Sequence, residues 1–110
     1  MFQVVKRDGD VVDFNLSKIS NAMTKAFEAT DMDYNDDITD LLSLRVTANF
    51  QGKIEDGKVT VESIQDSVEE VLEQTGYTDV AKAYILYRKQ REKMRNMKST
   101  ILDYKELVNS

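Results

Sequence analysis

Three cations, Lys6, Arg7 and Lys18, fall in one short segment with Asn15 and the apolar residues Val4, Val5, Val11, Val12, Phe14 and Ile19. Lysine and arginine give charge-assisted hydrogen bonds to anions. The Asn15 amide can cap a helix, whose free backbone N–H groups also favour an anion. The apolar residues can lie against a flat ring. Together these groups could hold an anionic ligand with a flat apolar part, and a nucleotide is the obvious candidate. The plain alternative is a solvated Lys-Arg turn beside an ordinary helix cap. Two further cations, Arg88 and Arg91, lie far along the chain. They join the first set only if the last helix packs beside the first.

Other chemistry is restricted by what the chain lacks. It contains no cysteine and no histidine. Disulfides and thiolate metal sites are therefore excluded, and the commonest general base and metal ligand are missing. Glu62, Glu69, Glu70 and Glu73 read as a solvated helix face, not as catalytic carboxylates. No catalytic residue and no metal site is expected. Residues 52–59, G-K-I-E-D-G-K-V, imitate a phosphate loop but end in Val59 where a hydroxyl is needed. Glu55 and Asp56 within it would repel phosphate, and it follows a helix where the motif needs a strand.

The elements that must position the cations can be read in order. Asp8-Gly9 between apolar runs predicts a β-hairpin over about residues 2–14, closed by a tight two-residue primed turn. On an extended strand Lys6 and Arg7 would point to opposite faces, so the turn itself must bring them together. Ile19, Ala22, Met23, Ala26 and Phe27 predict a helix over about 16–29. Asn35 caps a second helix with the stripe Ile38, Leu41, Leu42, Val46 and Phe50, and Gly52 to Lys58 reads as a loop. Val59-Thr60-Val61 can add a third strand. A third helix carries Val61, Ile64, Val68, Val71 and Leu72 and stops at Gly76. Thr78 caps a fourth, with Val80, Ala81, Tyr84, Ile85 and Tyr87 on its apolar side. Tyr84 and Tyr87 read as core, with base stacking as the alternative.

Nothing in the sequence breaks that helix before the C-terminus. Met94, Met97, Ile101, Tyr104 and Val108 continue at spacings of three and four. Either this seam packs on a further domain or on a second chain, or it is a tail covering the domain's own edge.

The chain has 110 residues, 41% of them hydrophobic, enough for one domain with a real core. Its net charge of −5 argues against a broad nucleic-acid footprint, so a small anion must be held by a local cluster. No apolar run reaches membrane-spanning length and the start lacks a signal-peptide core, so a cytoplasmic location is the default expectation.

The run V-V-K-R-D-G followed by F-N-L-S-K-I resembles the opening of an ATP-cone, the small nucleotide-binding regulatory domain at the N-terminus of many ribonucleotide reductases. V-T-V-E-S-I-Q-D and D-V-A-K-A-Y-I-L-Y-R-K-Q-R resemble its later parts, and look most like the anaerobic ribonucleoside-triphosphate reductases. The resemblance covers about residues 2–95. It implies that Lys6, Arg7, Lys18 and Arg91, with Arg88 as a neighbour, bind a triphosphate. It also implies that adenine lies against Val4, Phe14 and Ile19, near Val61 and Gln65, with Asn15 as a polar contact. Some relatives carry a carboxylate where this chain has Val12, which bears on the contact to the adenine amino group.

The expectation is therefore an α+β domain, a four-helix bundle capped by a two- or three-stranded sheet, over residues 1–93. Residues 94–110 form a helical connector to a missing domain. The resemblance implies an allosteric sensor of ATP or dATP, with magnesium on the nucleotide. Its partner would be the catalytic domain of the same enzyme. The family's catalytic cysteines and glycyl-radical segment are not in this sequence, so the resemblance implies a fragment or an excised domain. Two rivals remain. One is the ATP-cone of a transcriptional repressor of reductase genes, which the lack of cysteines for its zinc ribbon argues against. The other is a helical interaction module without a ligand.

Overall fold

The sheet is turned by two Asp-Gly pairs, and they turn it differently. In this computed structural model, which describes residues 2–109 and the side chains of residues 2–97, strand β1 (Gln3–Val5) pairs antiparallel with β2 (Val11–Asp13). The Lys6 carbonyl accepts the Gly9 N–H at 2.9 Å, and the Lys6 N–H donates to the Asp10 carbonyl at 2.8 Å. Gly9 has φ +92°, whereas Asp8 does not adopt positive φ. This is a three-residue loop, a turn followed by a left-handed glycine, and not the expected two-residue primed turn. The correction matters for the site, because Arg7 lies in the turn and not on the strand.

The primed turn occurs at Asp56-Gly57, where both residues have positive φ, +53° and +71°. Glu55 and Lys58 exchange backbone hydrogen bonds of 2.8 and 2.9 Å across it. The Gly57 carbonyl accepts the Gln3 N–H at 2.8 Å, tying this turn to β1. Strand β3 (Lys58–Thr60) then lies parallel to β1, giving the order β2-β1-β3. Val12, Val4 and Val59 are register partners in one row across the sheet. That row packs on the helices, while Val11, next to Val12 on the opposite face, is exposed.

The first three α-helices each begin at a recognisable side-chain cap, whereas Thr78, expected to cap the fourth, is instead its first helical residue. The Asn15 Oδ1 accepts the Ser17 N–H at 3.0 Å and starts α1 (Leu16–Glu28). The Asn35 Oδ1 accepts the Ile38 N–H at 3.0 Å and starts α2 (Asp36–Asn49), with Asp36 and Asp37 facing its positive N-terminal dipole. A 3-10 turn, Phe50–Lys53, follows, from the last residue of the expected stripe into the start of the expected loop at Gly52. Thr60 ends β3 and caps α3 (Val61–Gln74) through the Ser63 N–H. Gly76, at φ +87°, closes α3 with Tyr77 N–H to Leu72 and Gly76 N–H to Glu73 bonds, the paired pattern that satisfies terminal carbonyls. The fourth helix, α4 (Thr78–Asn109), begins at Thr78 itself.

The short link after α3 makes α4 its antiparallel neighbour. Phe27 near the end of α1 meets Tyr77, just ahead of α4, at 5.2 Å. Since α1 and α4 also pack along their lengths, α4 runs back toward the start of α1. Met23, Phe27, Val46, Phe50, Leu72 and Val80 fill the centre. Each contributes roughly 1.5–3 kcal/mol by burial. Phe2, Phe14 and Phe50 cluster at the sheet end, and Phe27, Tyr34 and Tyr77 at the other.

The stripe of α2 departs from expectation. Leu41 and Leu44 are each 57% exposed, while Thr39 and Ser43 are buried with Leu42 and Val46. Both hydroxyls bond carbonyls of their own helix, Thr39 to Asp36 at 3.1 Å and Ser43 to Thr39 at 2.7 Å. Satisfied in this way, small polar side chains enter the helix contact at little cost. Beyond Arg88, every side chain of α4 from Lys89 to Met97 is exposed. Met94 and Met97 belong to this stretch; the side chains of Ile101, Tyr104 and Val108 lie outside the described residues. Among the described residues no helix is long and apolar enough to cross a membrane.

Candidate functional site

Strand register decides which helix each cation meets. Val5 pairs with Thr60, so α3 starts beside the closed end of the hairpin. There the Arg7 Nη2 donates to the Gln65 Oε1 at 3.0 Å, and the Arg7 Nε lies 3.4 Å from the Glu62 Oε1. Two residues expected at the site, Arg7 and Gln65, are thus in contact, with half-buried Val61 one turn before Gln65 on the same helix. Lys6 is exposed at the start of the loop. Next to it, the Asp10 backbone N–H, and to a lesser degree the Lys6 charge, hold the Asp8 carboxyl below its ordinary value.

β2 runs the other way and delivers α1 from the open end of the hairpin. Lys18, in the first turn of α1, is exposed and has no side-chain partner among the described residues. The strands are only three residues long, so the two ends of the hairpin are about 7 Å apart. Asn15 engages its oxygen in the cap, leaving its NH2 group without a partner among the described residues.

The apolar candidates divide. Val4 and Ile19 are core residues, 8% and 6% exposed. Phe14 stands in the aromatic cluster, 4.6 Å from Phe2 and 5.7 Å from Phe50. Val12 and Val61, half-buried, keep more surface for a ligand. Tyr84 is buried, and burial pushes its phenol far above the ordinary value, so it is a neutral core residue and not a stacking platform. Tyr87 is flanked by Lys25 and Arg91, at 5.8 and 5.9 Å from the ring centre.

The two late arginines also separate. Arg88 donates to Asp66 at 2.8 Å and Glu69 at 3.0 Å. Burial opposes its charge, but these two bonds outweigh it and raise its pKa. Arg91 is exposed and meets only the Tyr87 face among the described contacts. Glu62 and Glu69, expected to be solvated, are thus ion-paired, while Glu70 and Glu73 are exposed. The missed partners had a signal: Glu62, Asp66 and Glu69 follow at spacings of four and three on one helical face. Among the described residues, no group of three or more acidic side chains is placed to hold a metal ion.

The family model for the ATP cone domain matches residues 2–93. The chain belongs to the ATP cone family. The cone is 37% identical over 101 residues to the ribonucleoside-diphosphate reductase subunit alpha of Chlamydia muridarum, covering 84% of this chain and 10% of that protein. It is 41% identical over 101 residues to the vitamin B12-dependent ribonucleoside-diphosphate reductase of Thermoplasma acidophilum, covering 87% and 13%. It is 33% identical over 103 residues to the anaerobic ribonucleoside-triphosphate reductase of Haemophilus influenzae, covering 91% and 14%. The cone therefore spans between a tenth and a seventh of the length of these relatives, which include three kinds of reductase.

Proposed function

We propose that this cone binds ATP or dATP and serves as the allosteric effector domain of a ribonucleotide reductase, in the cytoplasm. The anaerobic ribonucleoside-triphosphate class is the reading carried from the sequence motifs. The observation that carries the proposal is the contact of Arg7 with Gln65 at 3.0 Å, beside exposed Lys6. It gathers a turn cation and a helix residue, distant in sequence, at one place in a chain of the ATP cone family.

In this reading Lys6, Arg7 and Lys18 hold the triphosphate from the two ends of the hairpin, and Arg91 approaches from α4. Asn15 offers its amide. The base lies over Val12 and Val61 with Gln65 at its edge, while Val4, Phe14 and Ile19 support that surface from the core. Arg88 braces α4 against α3. Magnesium travels on the phosphate oxygens. Residues 94–110 are the connector, by which α4 leads toward a catalytic domain in the same enzyme. ATP and dATP act differently only by favouring different states of the hairpin and helices, because a ligand shifts an equilibrium by its differential affinity.

A thermal-shift titration tests this. At a ligand concentration near 100 times Kd, binding adds about 2.7 kcal/mol. That raises the midpoint of a domain this size by roughly 10–20 °C. No shift with millimolar ATP or dATP plus magnesium overturns the proposal.

A further inference from the structure

Arg7 is already occupied. Its guanidinium is held by the Glu62 carboxylate at 3.4 Å and the Gln65 amide oxygen at 3.0 Å. Glu62 sits in the first turn of α3, two residues after the Thr60 cap. A carboxylate there benefits both from the cation and from the positive end of the helix. A phosphate seeks those same two interactions. Glu62 is only partly exposed, at 41% of its side chain, and Arg7 at 29%, so water does not fully screen the pair.

We propose that Glu62 is an internal competitor for the nucleotide phosphate. In the empty cone it takes the guanidinium of Arg7, and a phosphate group binds there only by displacing it. Arg7 then exchanges one anion for another, and the hairpin loop is released from the start of α3 as the ligand enters. Glu62 therefore sets the affinity of the site without being one of its ligands. It is a positioning residue that acts through Arg7. The exchange also favours ligands with more negative charge, because a more weakly charged group displaces the carboxylate less readily. This rests on the proposed nucleotide reading and deepens it.

The test is isothermal titration of ATP, with magnesium, into the full chain and into Glu62→Gln. The variant keeps the side chain's shape and removes its charge. A partly exposed ion pair of this kind opposes binding by a factor of a few, so Glu62→Gln should bind about two- to five-fold more tightly. The same exchange is then made with Arg7→Gln already present. A competitor acting through Arg7 gives no gain in that background. A carboxylate acting only through its distant field gives the same gain with or without Arg7. Glu70→Gln, on an exposed part of α3, removes equal charge and should leave affinity unchanged. Equal or weaker binding by Glu62→Gln, or a gain that persists without Arg7, overturns the proposal and leaves the nucleotide site standing. Absence of binding to every chain overturns the nucleotide reading itself, and the competition with it.

Discussion

Replacing Arg88 by methionine separates a structural arginine from a ligand-binding one. The Arg88 side chain is 21% exposed, and its Nη1 donates to Asp66, 58% exposed, and Glu69, 24% exposed. Methionine keeps much of the apolar stem that packs between α3 and α4, and removes both bonds. The bond to well-exposed Asp66 is worth only a few tenths of a kcal/mol, as surface pairs are. The bond to Glu69 is worth more, about 1–2 kcal/mol, since its loss leaves a largely covered carboxylate without a cation. The total is about 1.5–2.5 kcal/mol. For a domain of this size the melting midpoint falls roughly 4–8 °C per kcal/mol, so a drop of about 6–20 °C is expected. Circular dichroism melts without nucleotide measure it. Arg91→Met, at an exposed position, should stay within about 0.5 kcal/mol of the parent. If Arg88→Met melted like the parent yet lost ATP binding, Arg88 would be a phosphate ligand and its assignment as a brace would be wrong.

Further expectations concern other parts of the chain. In the proposed site, Lys6→Ala or Lys18→Ala would remove a charge-assisted bond to phosphate of about 1.5–3 kcal/mol, so ATP affinity measured by titration should fall roughly 10- to 100-fold. The melting midpoint should stay unchanged, and Lys58→Ala, at the Asp56-Gly57 turn, should leave binding intact. The Asp8 carboxyl is held below its ordinary value by the Asp10 N–H, so it stabilises the fold above the unfolded carboxylate pKa. That stabilisation is lost as pH falls through the depressed value: the midpoints of the parent and Asp8→Ala should differ at pH 7 and converge in strong acid. Exposed Met94 and Met97 begin the apolar seam of α4, through which two chains are expected to associate at high concentration without nucleotide. Sedimentation of the parent and of Met94→Glu with Met97→Glu checks this, and equal masses remove the idea.

Local structure was legible because its causes are local. Asn15 and Asn35 are caps in the sequence pattern and in the fold alike, since the side chain and the N–H it accepts are two or three residues apart. The stripe of α1 and the stop at Gly76 follow from neighbours within two turns. The family, too, was legible in three motifs along the chain. The hairpin turn was legible only in part. The same Asp-Gly pair makes a primed turn at residues 56–57 and a three-residue loop ending at Gly9, and the dipeptide does not distinguish them. The stripe of α2 was misread at Leu41 because periodicity counts apolar residues, whereas helix contact rewards small ones whose hydroxyls are satisfied, as at Thr39 and Ser43.

The sequence by itself determined the cations, the caps at Asn15 and Asn35, the helices and the family. Only the tertiary structure decided which groups meet. Arg7 and Gln65 are 58 residues apart, and they touch because β3 pairs parallel to β1 with Thr60 opposite Val5. A shift of one residue in that register would turn the side chains of β3 to the opposite face and displace α3 from the hairpin loop. Likewise Arg88 finds Asp66 and Glu69 because a short link folds α4 back along α3. Side chains this distant in sequence are brought together by strand register and helix packing, and those are fixed by the burial of the whole core and not by any local run of residues.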